Sequence, residues 1–218
     1  MANLTLEKQW QESETASTFC FSTDRPIRYK AGQYAHMRLP SILLSGKSTR
    51  EFSFASAPDD SNIRFTVSTD SHSAFKEKLL SLKKGDTVRL SHIKGDMVIP
   101  DIAQGTYIFI AGGVGMAPFQ SLLRDIEIRN LPVTPILVQI DHGPYLYEEE
   151  FRDKPFEQYR IGRSDIDETL RKVIPAHTDS VYCIAGSPGF VHDISHKLQS
   201  CGISRAQVLT DEFKGLKN

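Results

Sequence analysis

The chain has 218 residues, 39% hydrophobic and 24% charged, with a formal net charge of -1. That length accommodates one large or two compact domains with real cores, and the near-neutral balance excludes a disordered tail or a polybasic nucleic-acid binder. Cys20, Cys183 and Cys201 lie far apart, which excludes a CxxC pair, a zinc ribbon and a locally ligated iron–sulfur cluster and fits a reduced, cytoplasmic chain.

The first half reads as short strands separated by turns. Leu4 to Gln11, Thr15 to Ser22 and Gln33 to Leu39 alternate or carry β-formers, with Asp24, Pro26, Gly32 and Pro40 between them. Arg50 to Ala55, Ile63 to Ser68 and Thr87 to Ser91 continue at the spacing of an antiparallel barrel, of Greek-key type, or of a sandwich. A helix over Ala74 to Lys83 interrupts them and stops at Lys84-Gly85-Asp86. After Pro100 the pattern changes. Tyr107 to Ala111 is an apolar strand, followed by a glycine turn and a helix with Phe119, Leu122, Leu123 and Ile126 on one face. The uncharged run Ile102 to Leu123 holds too many Gly, Pro and Gln residues for a membrane span, and the polar N-terminus shows no export signal. Strand Thr134 to Ile140, a helix from Ser164 to Val173 with Ser164 and Asp167 as a capping pair, strand Ser180 to Ala185, a helix ending at Gly202 and strand Gln207 to Thr210 complete the chain. Alternating strands and helices imply a parallel-sheet α/β domain covered on both faces, so residues 1–101 and 102–218 are expected to be separate domains.

Four segments could carry chemistry. In Arg50-Glu51-Phe52-Ser53-Phe54-Ala55-Ser56, strand alternation puts Arg50, Phe52 and Phe54 on one face and Ser53 on the other, which offers a cation, an aromatic plane and a hydroxyl to a planar phosphorylated cofactor; an amphipathic strand with a solvated Arg is the plainer alternative. Ala111-Gly112-Gly113-Val114-Gly115-Met116-Ala117-Pro118, between a strand and a helix, suits a nucleotide pyrophosphate, or is a plain tight turn. Ala185-Gly186-Ser187-Pro188-Gly189 is like a nucleophile elbow, but Pro188 has no N–H to offer an oxyanion, so Ser187 reads as an N-cap with Pro188 at the first helical position. His192 and His196 have zinc-helix spacing but fall off the apolar stripe of Val191, Ile194 and Leu198, which leaves them facing water.

A strand-borne Arg-x-aromatic-Ser-x-x-Ser followed about sixty residues later by Gly-Gly-x-Gly-x-x-Pro resembles the ferredoxin-NADP reductase superfamily. Ala31-Gly32-Gln33-Tyr34, Gly85-Asp86, Gly95-Asp96-Met97, Gly186-Ser187-Pro188-Gly189 and Asp211-Glu212-Phe213-Lys214-Gly215 extend the likeness over nearly the whole chain. The resemblance implies a flavin-binding barrel, an NAD(P)-binding domain and an active site between them. In its terms Arg50 pairs with the flavin phosphate, Phe52 packs on the ring and Ser53 bonds near N5, with Phe54, Ser56, Thr66, Val67, Ser68 and Ser73 also lining the cofactor. Gly112, Gly113, Val114, Gly115, Pro118, Gly186, Ser187 and Pro188 take the nucleotide side, and Ser53, Glu212 and Phe213 form the catalytic set. The chain departs from the family at Asp70-Ser71-His72-Ser73, which lacks a glycine, at Val114 in place of Thr, and at Leu216 in place of a terminal aromatic. The implied cofactors are FAD rather than FMN, with NADH or NADPH as substrate: Arg160, Arg163 and His142 could meet a 2'-phosphate, while Asp141 favours a bare ribose. The implied acceptor is external, a ferredoxin, a flavodoxin, another redox protein or a small molecule. The alternative is a non-catalytic flavin- or nucleotide-binding regulatory or assembly subunit.

Overall fold

The computed structural model describes residues 1–39, 49–70 and 73–213. Strands β1 (Ala2–Ser13), β2 (Ala16–Thr23), β3 (Tyr34–Arg38), β4 (Thr49–Ser53) and β5 (Ile63–Ser68), helix α1 (Ala74–Leu80) and strand β6 (Thr87–Lys94) make up the first half. The strands form an antiparallel sheet in the order β4-β3-β6-β1-β2-β5. Alternation turns Leu4, Leu6, Phe19, Phe21, Phe65, Val88 and Leu90 inward, and α1 lays Phe75 and Leu79 across one end of that core. The sheet curls until its edge strands meet at a single bridge, Phe54 opposite Phe65, with Ala55 N–H donating to the Arg64 carbonyl at 2.8 Å. It is therefore barrel-like without being closed.

The second half contains β7 (Gly105–Gly112), α2 (Met116–Ile128), β8 (Val133–Ile140), α3 (Glu148–Phe151), β9 (Glu157–Ile161), α4 (Ile166–Val173), β10 (Val181–Gly186), α5 (Pro188–Ser200) and β11 (Val208–Glu212). Its parallel sheet has the order β11-β10-β7-β8-β9. One face carries Ile108, Ile110, Ile136, Val138, Tyr182 and Ile184 against α4 and α5. The other carries Phe109, Ala111, Leu137, Cys183 and Ala185 against α2, and the same cluster takes in Ala16, Ala31, Ala55, Met97 and Ile99 from the first half. The two halves thus share an apolar core, which fixes their orientation through burial rather than through a linker.

Two expectations change. Strand β9 has no sequence signal, because an edge strand reading EQYRI is exposed at Glu157 and half-buried from Gln158 to Ile161, with no clean alternation. The Ser164–Asp167 capping pair does not form. Residues Arg163–Asp165 make a 3-10 turn, Ser164 Oγ donates to Asp165 at 3.0 Å, and Asp167 pairs with Lys197 of α5 at 2.7 Å. A partner on the neighbouring helix outcompetes the local cap. His192 and His196 are exposed, and among the described residues no group of side chains could hold a metal ion. No helix of the described residues is long and apolar enough to cross a membrane.

Candidate functional site

The parallel sheet itself marks a crevice. From β7 the chain runs one way to β8 and β9 and later the other way to β10 and β11, so the order reverses between β7 and β10. At such a switch point the connections leave the strand ends in opposite directions, and a gap opens at their carboxyl edge. Both glycine turns lie there. Gly113 has φ +53 and a Cβ at its position would meet nothing within 4 Å, so it faces open space. Gly115 differs, because a Cβ there would lie 2.1 Å from the Ala185 carbonyl oxygen. Its smallness serves the close packing of the α2 start on β10, so a side chain added there would meet β10 rather than the space of a nucleotide. Val114 is half-buried against the shared core and Pro118 is buried in the first turn of α2. In the second turn Ser187 caps α5 by accepting from Phe190 N at 3.4 Å, and Pro188 opens the helix, as expected. Phe190 lies across both turns, since a Cβ at Gly112 or Gly186 would come within 3.0 and 2.8 Å of its ring.

Register carries this edge to the barrel. Ala111, Ala185 and Asp211 form one rung across β7, β10 and β11. Asp211 therefore shares the face of Ala185, which looks toward the barrel, and Ser53 Oγ at the end of β4 donates to Asp211 Oδ2 at 3.0 Å. Burial pushes the Asp211 carboxyl up to about 6, against the pull of the Ser53 hydroxyl and with a further push from the Glu51 charge. Glu212, named from the sequence as the acidic partner, is exposed on the opposite face of β11. Two-residue alternation groups Asp211 with Leu209 and Phe213, and the pairing of β11 with β10 makes theirs the face toward the barrel. Phe213 is half-buried and its N–H donates to the Gly186 carbonyl at 2.8 Å.

The other face of β4 leads to α1. Arg50 stands over the Phe75 ring with its guanidinium carbon 5.1 Å from the centroid, and Nη1 donates to the Thr49 carbonyl at 2.9 Å. Burial lowers the proton affinity of Arg50 and of nearby Lys76. Ser73 accepts from Lys76 N as the cap of α1. Phe52 is half-buried, with Phe75 at 5.9 Å and Phe65 at 6.4 Å between centroids. A cation and part of an aromatic face on one side of β4, and a hydroxyl on the other side at its last residue, are thus in place along one strand.

Several residues read from the sequence as cofactor ligands have their side chains spent on structure. Phe54 is fully buried and stacked on Tyr29 at 3.8 Å, and Ser56 bonds Tyr29 and accepts from Arg64 N. Thr66 bonds Thr18 at 2.6 Å and accepts from the buried Tyr147 hydroxyl, which ties the loop after β8 to the barrel. Val67 points into the barrel core, and Ser68 turns to Asp70. The same alternation that exposes Ser53 and Arg50 at strand ends buries these residues in mid-strand. Sequence reading missed Tyr147 and Phe190, which sit in no recognisable motif. Ser71, His72, Lys214, Gly215 and Leu216 lie outside the described residues.

No family model matches the chain. It is 35% identical over 119 residues to the reductase component of phenol 2-monooxygenase from Pseudomonas sp. (strain CF600), covering 52% of this chain and 32% of that protein. It is 26% identical over 221 residues to the flavohemoprotein of Bacillus subtilis (strain 168), covering 89% of this chain and 54% of that one. The chain thus spans between about a third and about half of these relatives. Among solved structures, a ferredoxin NADP+ reductase from Neisseria gonorrhoeae with bound FAD and NADP superposes with TM-score 0.81 at 20% identity, over 97% of this chain and 98% of that one. An Amycolatopsis cytochrome P450 reductase gives 0.82 at 20% identity, over 98% and 70%.

Proposed function

We propose that this chain, which carries the two-domain fold of the ferredoxin-NADP reductase superfamily, is an NAD(P)H-dependent flavoprotein oxidoreductase that passes electrons to an external acceptor. Residues 1–101 hold the flavin and 102–218 the nucleotide. The observation that carries the reading is the meeting of the barrel hydroxyl Ser53 with Asp211 at the carboxyl edge of the parallel sheet, beside the open Gly113 turn at the switch point. A carboxyl whose proton affinity burial raises, bonded to a hydroxyl of the other domain beside an open turn, has the character of a functional group.

The residues suit a flavin dinucleotide. Arg50 and Lys76 supply positive charge for phosphate, Phe52 an aromatic face, and Ser53 a hydroxyl for a ring heteroatom. A bound flavin supplies the two-electron to one-electron conversion that no side chain can perform. The protein's own part is positional. The Gly113 turn admits the nucleotide backbone, Phe190 shields the floor between the two turns, and the shared apolar core holds the domains so that Ser53 and Asp211 meet in a part-buried contact. Asp211 holds a proton next to the Ser53 hydroxyl near pH 6, so the pair can take or give one at that atom. Asp141 directly follows β8 while Arg160 is engaged by Glu148 at 3.2 Å, and both favour a nucleotide with a bare ribose, NADH. The buried thiols Cys20 and Cys183, both free, fit a reducing cytoplasm.

Purified protein tests the proposal. A yellow preparation, or one made yellow by added FAD, should be bleached anaerobically by NADH. Protein that neither holds nor takes up flavin would overturn it, and protein that binds flavin but resists reduction by either nucleotide would leave a non-catalytic binding subunit.

A further inference from the structure

The outer face of the barrel beside Ser53 carries acid–base groups that the proposed reaction has not yet used. In the β3–β4 ladder Tyr34 stands opposite Ser53 and His36 opposite Glu51. Alternation puts all four side chains on one face, two residues or roughly 7 Å apart along each strand. Glu51 Oε1 lies 2.9 Å from His36 Nε2. That nitrogen is shielded from water and makes no aligned hydrogen bond, the carboxylate oxygen sitting off its axis. On the far side β6 carries one extra residue between Ser91, opposite His36, and Lys94, opposite Tyr34. This bulge sets the exposed His92 ring 5.1 Å from the His36 ring. Glu51 also reaches inward, because its charge raises the proton affinity of Asp211. A row of exchangeable groups therefore runs from the interdomain Ser53–Asp211 contact to the surface.

We propose that Glu51 and His36 carry protons between the Ser53–Asp211 pair and water, with His92 as the outermost group. The inference rests on the flavin reading above and assigns these residues a part in it. Oxidation of NADH to NAD+ yields two electrons and one proton. A one-electron acceptor such as ferricyanide takes the two electrons as two ferrocyanides and takes no proton, so one proton must leave the buried site in each turnover. Ser53 and Asp211 are its first stations, but both are buried or nearly so. Glu51, whose side chain is 54% exposed, is placed to receive the proton and His36 to pass it on, since imidazole takes up and gives off protons near neutrality. The other charged and polar groups around His36 are Tyr34 and Arg38 on its own strand, Thr49 on β4, and Arg89, Ser91, His92 and Lys94 on β6. None of these is a carboxylate, so Glu51 is the anion that couples His36 to the site. These residues act through Asp211 and touch no substrate, so they are positioning residues for the proton.

Two measurements decide the matter. In weakly buffered solution, ferricyanide turnover by the holoprotein should fall at least about tenfold in His36→Gln and in Glu51→Gln, and added imidazole should restore His36→Gln while leaving wild type unchanged. Unaltered turnover in both variants, or no rescue, would overturn the proposal. The second measurement needs no turnover. The His36 ring signals are followed by NMR at neutral pH in the full chain, and they should shift in Glu51→Gln and, by less, in Asp211→Asn, since Glu51 lies 2.9 Å from the ring and Asp211 lies beyond it. Ring signals unmoved by Asp211→Asn would break the link between the two pairs. A chain that takes up no flavin would sink the oxidoreductase reading instead, while the NMR result would still report whether the row is coupled.

Discussion

Replacing Asp211 by Asn should remove a pH-dependent cost from the folded state. Burial at the β11 edge raises this carboxyl from its ordinary 3.8 to about 6. An acid whose pKa is higher folded than unfolded binds more protons in the folded chain, so its contribution to stability is greatest below 3.8, falls as pH rises through about 6, and is level above that. At about 1.4 kcal/mol per pH unit, the interval corresponds to about 3 kcal/mol lost between acid and neutral pH. Asn leaves an acceptor for the Ser53 hydroxyl, which donates at 3.0 Å, but it cannot ionise. Urea unfolding of wild type and Asp211→Asn, compared at several pH values from about 4 to about 7.5, isolates this group from all other carboxylates common to both proteins. The difference should grow with pH in favour of the Asn variant, by up to about 3 kcal/mol, and most steeply near about pH 5, midway between the two values. A difference that stays flat over that range would refute the buried Ser53–Asp211 contact and the site built on it.

Arg50→Ala should weaken FAD binding by about 2 kcal/mol, or roughly thirtyfold, through loss of a charge-assisted phosphate contact, as read by flavin fluorescence titration. The two turn glycines should behave differently. Gly115→Ala drives a methyl group into the Ala185 carbonyl and should lower stability by about 2 to 3 kcal/mol in thermal or urea unfolding. Gly113→Val strains only a positive φ in open space, so it should keep flavin absorbance and reduction by dithionite while raising the KM for the nucleotide. Tyr147→Phe removes the hydroxyl bonded to Thr66 and should lower unfolding free energy by about 1 kcal/mol, with a weaker nucleotide Kd as the loop after β8 loosens from the barrel.

The sequence by itself determined the two architectures. Alternation in Leu4 to Gln11 and Ile63 to Ser68 requires a half-buried antiparallel sheet, and an uncharged strand before a glycine turn and a 3.6-period helix requires a covered parallel one, because those periods decide which side chains leave water. It also gave Ser187 and Pro188 their places in a helix start, which depend only on adjacent residues. The tertiary structure decided the rest, wherever the outcome depended on what lay across a gap. Residues 211 and 212 are equally acidic in the sequence, and only the pairing of β11 with β10 turns Asp211 to the barrel and Glu212 away from it. Gly113 and Gly115 look alike in a motif, yet one faces open space and the other a carbonyl contributed by a strand some seventy residues later. Ser56 and Thr66 read as ligands in the sequence, and only the fold shows that Tyr29 and Tyr147 engage their hydroxyls. Local periodicity fixes the face on which a side chain emerges, but the partner it finds there is set by long-range packing, and that partner determines whether the group is structure or site.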